Sequence, residues 1–288
     1  MLRKVLLISI VLLLAALAVI LLLDNRKPNT PNPPEPQPIT TTAPTGTEVI
    51  TTEEPTIEPT TAAVTEPPQF NPVLPPPDKA AERLNVPEGF AIRIFADNIR
   101  GTPRFMAAGP DGEVYVSLYP SGEIARLPDR NKDGLADGVE IIAGGMNNPH
   151  GIEWHDGWLY VAEAGRVTRL RDDNGDGLME TWEQVTDNIP GVGGHTSRTL
   201  HFGPDGLLYV SAGSSCNVCD EDDPRRAAIL RFNPDGSIPA ENPFATDPDP
   251  RKQAVWAWGL RNSVDFLWMP SGALWANHNG RDNMVDSQ

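Results

Sequence analysis

The sequence predicts an all-β fold, and three observations support this class. Short apolar runs alternate with polar residues at the two-residue period of half-buried strands, whereas helical patterns are few. The 288 residues include 25 glycines and 7 tryptophans, a composition typical of proteins with short strands and tight turns. A strand–turn–strand pattern also occurs in several copies along the chain. Such a repeat is typical of a β-propeller, in which four-stranded sheets stack around a central channel.

Four copies of the repeat are present, and each has a glycine at its tight turn. Successive turn glycines are about 45 to 66 residues apart, close to the length of a propeller blade. The copies and their turn glycines are Phe105–Ser117 with Gly112, Ile152–Ala162 with Gly157, Leu200–Ala212 with Gly206, and Phe266–Ala276 with Gly272.

Further strands are predicted between these hairpins, which gives three full sheets and the inner half of a fourth. Residues 89–99 are expected to form an outer strand of a last blade. A ring of six to eight blades needs roughly 250 to 350 residues at this period, more than residues 79–288 supply. We therefore expect a truncated propeller of about three and a half blades, with open sheet edges. The further strands are Glu123–Leu127, Val139–Ala143, Val167–Leu170 and Ile229–Phe232.

Two segments precede the predicted propeller. Residues 5–23 form an uncharged run of apolar or small residues, which as a helix is about 28 Å long and matches the hydrocarbon core of a membrane. Residues 1–23 are therefore predicted to be a transmembrane anchor, and the alternative is a cleaved secretory signal. Residues 24–78 are rich in proline, threonine and glutamate and are predicted to be a disordered stalk. We expect this stalk to hold residues 79–288 clear of the membrane, on its extracytoplasmic side.

Net charge and cysteine content narrow the expected partners. The formal charge of −16 argues against nucleic acid, because a surface that binds nucleic acid needs excess positive charge. Cys216 and Cys219 are the two cysteines. A zinc site would need a second pair of cysteines, and a thioredoxin-like redox site would lie near a βαβ unit; the sequence indicates neither. We therefore predict a local disulfide between them.

Two loops have the pattern of calcium-binding loops, with alternating oxygen side chains, a glycine at the sharp turn and a later glutamate. Neither loop is flanked by amphipathic helices, so we expect a structural cation that fastens the loop. The alternative is a plain turn without metal. The predicted ligands are Asp129, Asn131, Asp133 and Glu140 in the first loop, and Asp172, Asn174, Asp176 and Glu183 in the second.

Candidates for chemistry come from the segments that precede inner strands. His195 follows two glycines and precedes a strand, a position that suits a proton acceptor at a cavity rim. The alternative is a turn histidine bonded to the backbone. His150 occupies the equivalent position in the second copy. Arg261 and Asn262 occupy it in the fourth, where an arginine either binds a carboxylate of a ligand or pairs with an acidic neighbour.

Three segments, 194–213, 229–244 and 259–262, resemble the soluble glucose/sorbosone dehydrogenases in order and spacing. The resemblance extends over about residues 85–283, and residues 214–219 are more similar to the sorbosone branch than to the glucose branch. It implies a six-bladed propeller that oxidises a sugar or sugar aldehyde with pyrroloquinoline quinone (PQQ) and Ca²⁺. The protein would position the cofactor, and the redox chemistry would belong to the quinone.

The resemblance also implies roles for single residues. His195 matches the general base that takes a proton from the sugar hydroxyl while hydride passes to the quinone. Arg261 and Asn262 match a pair that contacts the cofactor. Gly280 matches a backbone-carbonyl ligand of the calcium ion that polarises the quinone, and Arg281 stands where a proline supplies a second carbonyl ligand.

Two departures from the family pattern are expected to matter. Ser214 stands where the glucose enzymes have an aspartate near the histidine. The lysine and arginines that the family supplies from its last blades would lie beyond Gln288, so we expect this chain alone to be inactive. The leading hypothesis is the amino-terminal part of a membrane-anchored sugar or aldehyde dehydrogenase with an unknown electron acceptor. The alternative is a non-catalytic, calcium-stabilised propeller that binds a glycan or a protein at the cell surface.

Overall fold

The computed structural model describes residues 79–191 and 193–283. The predicted anchor at 1–23 and the predicted stalk at 24–78 lie outside these residues. Within the described ranges, no helix is both long enough and apolar enough to cross a membrane. The same ranges are almost entirely β-structure and turns, apart from one short helix, α1 (Pro250–Gln253). The all-β prediction is therefore confirmed.

The strands of the described residues are short, and tight turns join many of them. Most are between three and six residues long. In chain order they are β1 Thr102–Ala108, β2 Val114–Tyr119, β3 Glu123–Leu127, β4 Glu140–Ala143, β5 Ile152–His155, β6 Trp158–Glu163, β7 Arg166–Arg171, β8 Thr181–Thr186, β9 Leu200–Phe202, β10 Leu208–Ala212, β11 Ala228–Phe232, β12 Val255–Trp258, β13 Phe266–Trp268 and β14 Leu274–Ala276.

These strands form antiparallel sheets in which consecutive strands pair. The sheets are β1–β4, β5–β8, β9–β12 and the two-stranded β13–β14, named sheets 1 to 4 below. The first strand of one sheet contacts the first strand of the next, since β5 contacts both β1 and β9. This arrangement is propeller-like, with the first strand of each sheet innermost. It agrees with the predicted three sheets and the inner half of a fourth.

The sequence located most strands but not all of them. All four hairpins and the four further strands lie where the repeat predicts them. Strands β8 and β12 were missed, because β8 is mainly polar and exposed and β12 is short and rich in tryptophan. The strand expected at 89–99 is wrong, since these residues form no strand. Phe95, Ala96 and Ile99 instead pack against the apolar cluster of sheet 1.

The hydrophobic core lies between neighbouring sheets. Every residue of β10 and β11 is buried. Tyr160 and Val167 of sheet 2 belong to the same cluster as Leu200, Leu230 and Phe232 of sheet 3. Burial of each large side chain stabilises the fold by about 2 kcal/mol. Stacking of sheets, rather than any single sheet, therefore supplies the main apolar stabilisation.

An ion triad links three inner segments. His201 of β9 lies between Glu153 of β5 and Asp265, the residue before β13. Its Nδ1 is 2.7 Å from Glu153 Oε2, and its Nε2 is 2.8 Å from Asp265 Oδ1. Both ring nitrogens therefore donate to carboxylates, as an imidazolium does. Burial acts to lower the pKa of His201, but the hydrogen bonds to Glu153 and Asp265 outweigh it and raise the pKa above 6.5.

We predict that this triad stabilises the fold most in mildly acidic solution. Because the folded-state pKa of His201 lies above the unfolded value, its contribution is complete below about pH 6.5 and is lost as the pH rises through the folded value. His201→Asn should lower the free energy of unfolding by about 1–2 kcal/mol at pH 6 and by less at pH 9. Urea denaturation at both pH values measures the difference. The exposed His278→Asn serves as control, and equal losses for His201→Asn at both pH values would contradict the account.

Candidate functional site

The loop between β8 and β9 carries His195, and one arginine holds this loop. Arg198 is fully buried. Its guanidinium donates five hydrogen bonds, all to backbone carbonyl oxygens, at 2.6–3.2 Å. The acceptors belong to Pro190, Gly191, His195 and Ser197.

A buried cation is stable only when its donors are satisfied, and here carbonyl dipoles replace water. Burial, followed by the charges of Arg226 and Arg225, lowers the pKa of Arg198 to about 10. The guanidinium is therefore still a cation at neutral pH. No sequence pattern indicates this role, because the acceptors are main-chain atoms that any residues supply.

We predict that Arg198→Lys destabilises the protein by about 3 kcal/mol. A lysine ammonium has three donors in a compact head and leaves some of the buried carbonyls without a partner. Urea denaturation measures the loss. Arg171→Lys, at a side chain that is 45% exposed, is the matched control and should change the stability by less than about 0.5 kcal/mol. A loss below about 1 kcal/mol for Arg198→Lys would contradict this role.

His195 is half-buried and is held through one ring nitrogen. Its Nδ1 lies 2.9 Å from the backbone oxygen of Ser214 and 3.0 Å from Ser214 Oγ. The Ser214 hydroxyl donates to the carbonyl oxygen of Cys216, at 2.6 Å. Since a carbonyl oxygen only accepts, we assign the proton of a neutral imidazole to Nδ1. This assignment leaves Nε2 as the proton acceptor.

Ser214 also joins His195 to the segment of Arg261 and Asn262. The backbone N–H of Ser214 donates to the carbonyl oxygen of Arg261, at 2.7 Å. The backbone N–H of Asn279 in turn donates to the carbonyl oxygen of Asn262, at 3.0 Å. The structure thus brings together the segments of His195, Arg261 and Asn279, which the sequence separates widely. Gly280 and Arg281 follow Asn279 as exposed residues.

Gly213 permits this close approach. A Cβ atom at residue 213 would lie 2.5 Å from Cβ of His195 and 2.7 Å from Oδ1 of Asn262. Non-bonded atoms do not approach so closely, so any larger residue has to displace one of these two side chains.

We predict that Gly213→Ala lowers the free energy of unfolding by about 1–3 kcal/mol, because the added methyl overpacks the site. Gly138→Ala is the matched control, since no atom lies within 4 Å of its Cβ position and its φ is not in the left-handed region. That substitution should change the stability by less than about 1 kcal/mol. Thermal unfolding of both variants measures the effect, and equal melting temperatures would refute the packing argument.

Arg261 and Asn262 are engaged differently. The Arg261 guanidinium donates to the backbone oxygen of Asn217 at 3.0 Å and to its Oδ1 at 2.8 Å. It also donates to the oxygen of Asn279 at 3.2 Å and pairs with Asp282 at 2.7 Å. Of the two alternatives for Arg261, the structure therefore shows the ion pair with an acidic neighbour, Asp282. Asn262 is buried, and its amide makes no hydrogen bond within the described residues.

A cavity of about 360 Å³ lies beside Arg261. The other lining residues are Ser214, the loop 216–219, Glu221, Ala227, Gly259, His278 and Arg281. Cys216 and Cys219 form a disulfide in this loop. The guanidinium groups give the cavity a positive wall, which suits a ligand that carries carboxylates.

The two predicted cation loops lie between the third and fourth strands of sheets 1 and 2, apart from this cavity. Their aspartates accept backbone hydrogen bonds inside each loop. Asp129 accepts from Gly134 at 2.9 Å, and Asp172 accepts from Gly177 at 2.7 Å. Asn131 and Asn174 accept likewise from the N–H groups of Asp133 and Asp176.

The two glutamates of the predicted ligand sets form ion pairs with arginines in the structure. Glu140 pairs with Arg126 at 2.5 Å and with Arg130 at 2.6 Å, and Glu183 pairs with Arg169 at 2.5 Å. Each glutamate reaches an arginine because the two are cross-strand partners. Glu140 lies opposite Arg126, and Glu183 lies opposite Arg169.

A different glutamate completes the acidic group of the second loop. Glu180 places a carboxylate oxygen within 4.8 Å of oxygens of Asp172 and Asp176. The first loop has Asp137 at the equivalent position. This repeated acidic residue, eight positions after the first aspartate of each loop, is the signal that would have identified Glu180 from the sequence.

Comparison with known proteins agrees with the motif resemblance. Residues 160–284 match the family model described as glucose/sorbosone dehydrogenase, which confirms the predicted resemblance for this part of the chain. An uncharacterized protein of Borreliella burgdorferi is 23% identical over 222 residues, which cover 73% of this chain and 53% of the relative. An uncharacterized protein of Synechocystis is 34% identical over 131 residues, covering 40% of this chain and 31% of that protein. The matched part of the chain thus spans about half the length of the first relative and about a third of the second.

Solved structures with a similar fold include three sugar-active or carbohydrate-active proteins. The PQQ-bound aldose sugar dehydrogenase of Streptomyces coelicolor has a TM-score of 0.53 at 24% identity, over 66% of this chain and 60% of that chain. The PQQ domain of pyranose dehydrogenase from Coprinopsis cinerea has a TM-score of 0.53 at 20% identity, over 71% and 50%. A family AA12 enzyme of Trichoderma reesei has a TM-score of 0.54 at 20% identity, over 68% and 49%. At these identities the likeness concerns the fold alone.

Proposed function

We propose that the chain is part of an oxidoreductase that oxidises a sugar or sugar aldehyde, with PQQ as the hydride acceptor. The observation that carries the proposal is the meeting of His195, Arg261 and Asn262 around Ser214. These are the residues to which the motif resemblance assigns the base and the cofactor contacts. The family match over residues 160–284 supports an oxidoreductase of this kind.

The residues of the site fit a polar quinone that carries three carboxylates. The amide of Asn262 and Nε2 of His195 have no hydrogen-bond partner within the described residues. Both groups are therefore available to a ligand. Arg261 and Arg281 line the adjacent cavity and supply positive charge. The exposed backbone of Gly280 offers a carbonyl oxygen, the type of ligand that Ca²⁺ prefers.

The two ring nitrogens of His195 have different roles in this proposal: Nε2 accepts the proton, and Nδ1 holds the ring in place. PQQ, when bound, supplies a two-electron acceptor for hydride, and Ca²⁺ polarises it. His195 Nε2 takes the proton of the sugar hydroxyl as the carbon–hydrogen bond breaks and the carbonyl of the product forms. The Nδ1–H bond to the Ser214 oxygen keeps the ring in place and strengthens once the ring becomes a cation.

A titration of the complete protein, including any residues that follow Gln288, with PQQ and Ca²⁺ tests this function. We expect stoichiometric binding, followed by bleaching of the quinone absorbance when glucose or sorbosone is added. His195→Ala should still bind PQQ but lose bleaching by a factor of about 100 or more, the usual contribution of a general base.

His155→Asn, a histidine of β5 outside this site, is the matched control and should bleach the quinone at the normal rate. Two outcomes would reject the proposed function. One is a folded complete protein that does not bind PQQ, and the other is bleaching that is unchanged in His195→Ala.

A further inference from the structure

We propose a second carbohydrate subsite, formed by Trp258 and Glu221, that selects a neutral oligosaccharide over a free monosaccharide. Its catalytic consequence rests on the proposed function, since an oligosaccharide held there would present one sugar ring to His195. Binding of the oligosaccharide at the subsite does not depend on the cofactor. The two ideas are therefore separable by experiment.

A second cavity, of about 590 Å³, adjoins the cavity at Arg261. Residues Cys219, Glu221, Ala227 and Gly259 line both cavities, so the two are adjacent, and we call the pair the groove. Each cavity alone has the size of a small-ligand site. The second cavity has room for a sugar ring and leaves the cavity at Arg261 to the cofactor.

The groove also borders the loop of the candidate base. Arg226 lines the second cavity and packs against Gly193, two residues before His195. A Cβ atom on Gly193 would lie 2.7 Å from the guanidinium carbon of Arg226. The second cavity therefore borders the candidate active site on two sides, at the disulfide loop and at the glycine loop.

Trp258 provides an aromatic platform at the far end of the groove. It ends β12 and lines the second cavity, and 66% of its surface is exposed. The edge-on contact with Phe244, at 5.2 Å between ring centroids, limits its orientation. Lys252 lies 4.7 Å from the Phe244 ring and supports that ring in turn. A fixed indole with an open face suits the C–H face of a pyranose, since the aromatic face is negative and the C–H groups are weakly positive.

Glu221 supplies a carboxylate oxygen to which no group of the described residues donates a hydrogen bond. Its Oε1 accepts from the backbone N–H of Ser215, at 2.8 Å. Its Oε2 is buried and has no hydrogen-bond partner within the described residues. A buried carboxylate oxygen without a donor is unfavourable, because it has lost the hydrogen bonds of water. A sugar hydroxyl would supply that donor if the Glu221 side chain, which lines the cavity, turned Oε2 toward it.

The charges of the second cavity favour a neutral ligand. Asp220 and Glu221 line it together with Arg226 and Lys252, so acidic and basic groups balance. Lys252 is in addition paired with Asp247, at 2.9 Å. A phosphate or a carboxylate ligand would meet both signs of charge, whereas sugar hydroxyls both donate and accept. The combination of an aromatic face and balanced polar groups therefore indicates an uncharged sugar chain.

Binding measured without PQQ tests the subsite directly. Calorimetric titration of the full chain with maltotetraose, cellotetraose and glucose should show that at least one tetrasaccharide binds about tenfold or more tightly than glucose. Trp258→Ala should reduce the affinity for that tetrasaccharide about tenfold or more and leave the affinity for glucose unchanged. Glu221→Gln should reduce it several-fold, because the amide weakens the acceptor.

Trp275→Ala is the matched control, because Trp275 is 65% exposed and does not line the groove. It should leave tetrasaccharide binding unchanged. Far-UV circular dichroism and the melting temperature check that all variants are folded. If neither tetrasaccharide binds more tightly than glucose, or if Trp258→Ala binds as the wild type does, the subsite is rejected.

Activity measurements then separate the subsite from the proposed function. With PQQ and Ca²⁺ present, Trp258→Ala should raise KM for the tetrasaccharide about tenfold with little change in kcat. If tetrasaccharides bind as expected but no sugar bleaches the quinone, the proposed function fails and the subsite stands. If glucose is oxidised but Trp258→Ala alters neither binding nor KM for tetrasaccharides, the subsite fails and the proposed function stands.

Discussion

The buried guanidinium of Arg198 is the interaction on which the geometry of the candidate site depends. Its donors hold the carbonyl groups of Pro190, Gly191, His195 and Ser197 inward, so that the loop presents His195 toward Ser214. The carbonyl oxygen of Arg198 in turn accepts from the backbone N–H of Gly151, at 2.8 Å. One residue thus connects the loop to sheet 2 as well as sheet 3. Apolar stacking supplies most of the stability, but it does not specify where the histidine lies.

A comparison of His150 with His195 shows how equivalent repeat positions acquire different roles. His150 is fully buried, with Nδ1 3.1 Å from the Arg198 oxygen and Nε2 3.4 Å from an Arg104 nitrogen. Burial, followed by the charge of Arg104, lowers the pKa of His150 to about 4. Both of its ring nitrogens are therefore committed to protein contacts. Nε2 of His195 has no such contact within the described residues, which makes His195 the better base.

Local patterns predicted the fold well because propeller sheets pair strands that are neighbours in sequence. The alternation in Leu200–Ala212, with a Pro-Asp-Gly turn, defines a hairpin without knowledge of any distant residue. The polar strand β8 was missed for the opposite reason, since its pairing with β7 decides its conformation more than its own residues do.

The site was predictable only in part. The motif resemblance singled out His195, Arg261 and Asn262, and the structure brings them together. Arg198 and Gly213 were missed because their roles depend on distant atoms, namely backbone carbonyls for Arg198 and the Asn262 side chain for Gly213. Spacing alone selected Glu183, which pairs with Arg169 in the structure, and not Glu180, which lies close to Asp172 and Asp176. The spacing of residues in a sequence does not show which carboxylate is bound by an arginine.

The central claim is that His195 carries its proton on Nδ1 and leaves Nε2 open to substrate. Nitrogen NMR of the full chain with ¹⁵N-labelled histidine tests it most directly, with the His195 signals assigned from their loss in His195→Gln. At pH 7.5 the account predicts one protonated nitrogen, identified as Nδ1 by its ring couplings, and an unprotonated Nε2 whose shift changes when sugar is added to the PQQ-loaded chain. A proton on Nε2 and a bare Nδ1 would contradict the hydrogen bond to Ser214 and the assignment of His195 as the base.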